Sequence, residues 1–147
     1  MDVCGWSVLR SKTVLWADRR GALLKVEVIG GDSEHKGEDG YPSEFNDKVR
    51  ASWDSKPHEY YVFCSKSFPA LIWQTDQGKY SASSLDFKAL TGNRESAAIL
   101  YAEDCHRVGL FRDITLEGFA EQFGYQAPAG PTEADLATPY DIFDFVK

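Results

Sequence analysis

The placing of apolar and polar positions makes the first third of the chain read as strands. In Leu23–Ile29, Leu24, Val26 and Val28 fall on one side and Lys25 and Glu27 on the other, the pattern of a strand with one solvated face. Strands of that kind belong to antiparallel sheets. Val3–Leu9 and Thr13–Ala17, rich in β-branched and aromatic residues, predict two strands ahead of it, with Asp18-Arg19-Arg20-Gly21 as a turn. Tyr60–Ser65 and Pro69–Thr75 predict two more, and Lys79–Ala82 a return strand after the turn Asp76-Gln77-Gly78. Gly30–Asp47, with glycines at 30, 31, 37 and 40, predicts the longest loop. Lys48–Trp53 fits either a strand or a loop.

After Ser83 the period lengthens to that of helices. Ser84–Leu90 predicts a short helix capped by Ser84, and Arg94–His106 a longer one capped by Asn93, with Ala98, Tyr101 and Cys105 on its buried stripe. Thr115 caps a further helix, Leu116–Phe123, which Gly124 ends. Thr132–Asp135 has the outline of a capping box.

Strands first and helices last predict an α+β fold. The expected form is a twisted antiparallel sheet of five or six strands with two or three helices packed on one face. Residues 1–125 are expected to form a single domain, and 126–147 an acidic, aromatic extension docked on it.

Composition adds that this core can be large. Four Trp, seven Tyr and nine Phe carry enough apolar area to offset the entropy of ordering the chain. The net charge of -7 is uneven: residues 112–147 hold seven acids and two bases. That disfavours nucleic acid and anionic membrane as partners and favours a basic protein. No apolar run approaches the length of a membrane-spanning helix. The first twenty residues lack a signal-peptide layout, which points to the cytoplasm, or to the periplasm or secretion if a leader preceded Met1.

Candidate chemistry centres on Cys64, Cys105 and His106. Cys64 beside Lys66, with His106 as base, would be an activated thiol if the helix end meets the strand end. The same two sulfurs, Cys64 and Cys105, would alternatively form a disulfide in an oxidising compartment, leaving Cys4 single. Metal binding by His58, Cys64, Cys105 and His106 has poor ligand spacing. The segment Asp32–Ser43 lacks two ligands of a calcium loop. No phosphate-cradle, GxSxG or HExxH pattern occurs, and no cofactor or metal is implied.

The tail offers an interaction surface. Tyr140, Phe143 and Val146 recur every three residues with Asp141 and Asp144 between them, a workable ligand for a basic groove unless the segment docks on its own domain. The function expected first is therefore a non-catalytic, inhibitor- or immunity-type binding protein, with Tyr140, Phe143, Asp141 and Asp144 as its binding residues. The alternatives are a thiol enzyme using Cys64 with His106, and a small-ligand pocket lined by Trp53, Trp73 and Tyr101.

Overall fold

The computed structural model describes residues 2–35, 49–128 and 130–146. They form an α+β fold with a seven-stranded antiparallel sheet. The strands are β1 (Asp2–Asp18), β2 (Gly21–His35), β3 (Ala51–Trp53), β4 (His58–Cys64), β5 (Ala70–Gln74), β6 (Tyr80–Ser84) and β7 (Glu133–Leu136). Their order is β1-β2-β4-β5-β6-β7, with β3 also paired to β2. Helices α1 (Glu95–His106) and α2 (Leu116–Phe123) lie between β6 and β7, and a 3-10 helix, Pro139–Phe145, follows β7.

The chain divides into two compact units, to both of which β1 and β2 contribute. The first comprises Met1–Lys12 and Val26–Glu59. Here β2 runs on through Gly30 and Gly31 to His35, where the glycines had predicted a loop. The reason is steric: Gly31 pairs with Trp53, and any Cβ at position 31 would collide with that indole ring. Ser33, buried in the same strand, accepts from Trp6 Nε1 at 2.6 Å and bonds His35 Nε2 at 2.7 Å. Of the calcium-loop segment, Asp32–His35 is thus strand, and the remainder lies outside the described residues.

The second unit comprises Thr13–Lys25 and Tyr60–Lys147. The β1–β2 turn is held by Asp18, whose carboxylate accepts from the Arg20 amide at 2.8 Å and its Nη2 at 2.7 Å; these bonds keep that carboxyl well below the usual range. Gly21 follows at φ 151°, with the site of a Cβ only 2.7 Å from the Cys64 carbonyl oxygen, so only glycine fits.

Directly opposed residues of antiparallel strands share a face, so the register sorts the sheet into two sides. Phe63 opposes Ala70, and Ile72 opposes Ala82. With Leu23, Phe68 and Leu136 they form a core closed by Ile142 and Phe143 of the 3-10 helix. On the other side, Tyr60, Val62 and Cys64 alternate along β4 toward α1: the Tyr60 hydroxyl donates to Asp104 at 2.7 Å, and Cys64 is bonded to Cys105. Helix α2 then packs near α1 through Phe119, which tilts against Phe87 and stacks on Tyr125.

Local details also differ from the sequence reading at β1, which is one strand rather than two, and at Ser84, Asn93 and Glu133–Leu136. Ser84 ends β6 rather than capping a helix: its amide donates to the Thr132 carbonyl at 2.9 Å, across to β7. The α1 cap is not Asn93, whose side-chain oxygen accepts from the Thr91 hydroxyl instead, and α1 is preceded by a 3-10 turn at Gly92–Arg94. Glu133–Leu136 is strand, drawn into the sheet by pairing Tyr80 with Leu136 and Ala82 with Ala134. The α2 ends agree with expectation: Thr115 accepts from the Gly118 amide, and Gly124 takes φ 73°.

Candidate functional site

The sulfur and imidazole chemistry is built where α1 meets the end of β4. Cys64 and Cys105 are joined as a disulfide with Cα atoms 5.7 Å apart, and Cys4 is a free thiol in the other unit. A sulfur in a disulfide carries no thiolate, so in this form Cys64 has no nucleophile for His106 to activate.

His106 faces a different set of groups. Its Nε2 bonds the Tyr125 hydroxyl at 2.7 Å, which bonds the Tyr101 hydroxyl at 2.8 Å. Tyr101 completes the chain on the Ser65 backbone, accepting from its amide at 3.1 Å and donating to its carbonyl at 3.2 Å. The His106 ring stacks on Phe123 with centroids 4.0 Å apart. Lys66 places its ammonium 4.5 Å from the Tyr125 ring centroid and hydrogen-bonds the Phe123 carbonyl.

Burial disfavours charge throughout this network. It lowers His106 to about 4, with Lys66 adding to the effect, raises Tyr125 to about 12, and raises Tyr101 well above its usual value. Burial also lowers Lys66. With every member bonded, the network fixes α1, α2 and the segment after β4 in one arrangement.

A pH dependence follows. The folded state holds His106 neutral, while the unfolded chain protonates it near 6.5. Its contribution is therefore complete above about pH 6.5 and is lost as pH falls toward 4. Since the imidazole is only partly buried, screening reduces this to on the order of 1–2 kcal/mol. Urea midpoints at pH 7 and 4.5 should fall less on acidification in His106→Gln than in the parent; equal falls would remove His106 as a cause.

The tail residues part company. Phe143 is only 4% exposed and packs edge-on to Phe63 at 4.9 Å. Asp141 turns inward along the chain, accepting from the Ala137 and Thr138 amides at 3.1 and 3.0 Å. Tyr140, half exposed, and Asp144 remain on the surface. The buried side of this 3-10 helix is Pro139, Ile142 and Phe143, not the Tyr140–Phe143–Val146 row. Of the three rings expected to line a pocket, Tyr101 is fully buried, Trp53 belongs to the first unit, and Trp73 is 42% exposed on β5.

Trp73 heads a surface that the linear sequence did not single out. It opposes Ser81 of β6, which opposes Asp135 of β7, so the three side chains form one row across three strands. Glu133 lies two positions from Asp135 and shares its face. Asp135 also borders a hollow of about 430 Å³ with Asp76 and Lys79 at the β5–β6 turn. A second hollow, of about 500 Å³, lies along α2. Nothing in the apolar run of β5 marked Trp73 as exposed, and β7 was needed to bring carboxylates onto the face of the indole.

No family model, curated protein or solved structure matches the chain.

Proposed function

We propose that this is a binding protein that engages a basic protein partner through the acidic, aromatic-bearing face of the second unit. The observation that carries the reading is the Trp73–Ser81–Asp135 row, in which Trp73 and Asp135 are exposed and Ser81 is half-buried, flanked by Glu133 and Asp76. A large ring and carboxylates on one face are the composition of an interface anchor: the indole supplies area, and the carboxylates, of which Glu133 also pairs with Arg94 at 3.5 Å, select and steer a cationic partner. The acids Asp113, Glu117, Glu121 and Asp144 are also exposed and extend the same sign of potential. The inhibitor-type role fits this arrangement because an inhibitor needs only a preformed, complementary surface. The Cys64–Cys105 bridge favours an oxidising compartment.

The test is binding of the full chain to a panel of basic proteins at low salt and at roughly 0.3 M salt. A true partner should bind with strong salt dependence, and Trp73→Ala should weaken it by about tenfold or more. Loss of salt sensitivity, or indifference to both Trp73→Ala and Asp135→Asn, would remove the proposed surface.

A further inference from the structure

Helix α2 carries Glu117 and Glu121 one turn apart, both exposed and both bordering the hollow of about 500 Å³. Side chains at that spacing stand roughly 6 Å apart at Cβ, a span that one planar group can bridge. Among the described residues neither carboxylate has a cationic partner. The apolar part of the lining comes from Phe87, Leu116 and Ala120. Lys88 is the one base among the described residues of the lining, and its ammonium is engaged by Gln126 Oε1 at 3.3 Å.

The end of α2 borders the same hollow at Gly124, where the helix presents the negative end of its dipole. This helix end already holds one cation of the chain itself: Lys66 hydrogen-bonds the Phe123 carbonyl. An occupant that suits apolar lining, paired carboxylates and a helix C-terminus has a hydrocarbon stem and a cationic head. Arginine matches best, because its flat guanidinium can donate to both carboxylates at once, whereas an ammonium acts as a point charge.

We propose that the α2 cleft receives an arginine side chain, with Glu117 and Glu121 clasping the guanidinium and Leu116, half-buried at the edge of the hollow, covering the stem. The inference rests on the reading above for the source of the arginine, a residue of the basic partner, and adds a second anchoring point to it.

The probe is an acetyl-Gly-Arg-Gly-amide peptide, titrated into the ¹⁵N-labelled full chain beside its counterpart with neutral, isosteric citrulline. The expected result is a set of amide shifts confined to Lys88 and residues 116–126, saturating at roughly millimolar peptide. Citrulline should bind about tenfold more weakly, and E117Q/E121Q should weaken the arginine peptide by a similar factor. Both glutamates are exposed, and an otherwise unchanged amide spectrum will show that the variant is folded. Absence of shifts up to about 10 mM, equal binding of citrulline, or shifts mapping elsewhere would each overturn the proposal. Failure of the partner reading looks different: the peptide would still fill the cleft while no basic protein showed salt-sensitive binding.

Discussion

Opening the Cys64–Cys105 bridge is expected to lower stability by about 4 kcal/mol. The two residues are 41 apart in sequence, and cross-linking a loop of that size removes a corresponding entropy from the unfolded chain. In a domain of this length the loss equals a fall of roughly 10 °C in Tm. Urea unfolding of the protein with and without reductant, and of a Cys64→Ser/Cys105→Ser variant, measures it. The folded form should persist when reduced, because α1 is held at the same place by the Tyr60–Asp104 bond and by Tyr101 on the Ser65 backbone. A change below about 1 kcal/mol would mean that strain in the bridge, or structure retained by the reduced unfolded chain, cancels the entropic gain.

Phe143→Ala should cost about 3–5 kcal/mol, while Tyr140→Ala, three residues earlier, should stay within about 0.5 kcal/mol. The contrast comes from position alone. Phe143 fills the space beside Phe63 and lies under the Arg20 guanidinium, 4.8 Å from its ring centroid, so truncation leaves a cavity in the core. Tyr140 stands half in solvent. Thermal unfolding of the two variants separates a docked segment from a free one. Near-equal, small effects would return the tail to the role of a ligand for some other groove.

The second unit was largely legible in advance wherever local chemistry decides the outcome. Runs of aromatic and apolar residues placed β4 and β5, the Asp76–Gly78 turn announced β6, and a hydroxyl and a glycine in the correct positions marked both ends of α2. Thr13–Ala17 was recognisable as strand, but nothing between it and Leu9 announced that β1 would run unbroken from Asp2 to Asp18. The misses have a common cause in long-range partners. Gly30 and Gly31 look like loop residues until Trp53 is placed across from them. Thr132–Asp135 looks like a helix start until β6 offers an edge to pair with. For the site the same holds: the sulfurs at 64 and 105 were visible as a pair, whereas the His106–Tyr125–Tyr101 chain joins residues 19 and 24 positions apart that no spacing rule connects.

The placement of the indoles has a practical consequence for observing this protein. Trp16, Trp53 and Trp73 are 41–56% exposed, and Trp6 is half-buried in the first unit, so the core described above is lined by tyrosine and phenylalanine instead. Emission excited at the red edge therefore reports on the surface and on the first unit. Loss of the Tyr101–Tyr125 packing will be seen in near-ultraviolet circular dichroism. Where the two signals melt at different temperatures, the difference is a spectroscopic division of labour between surface and core chromophores.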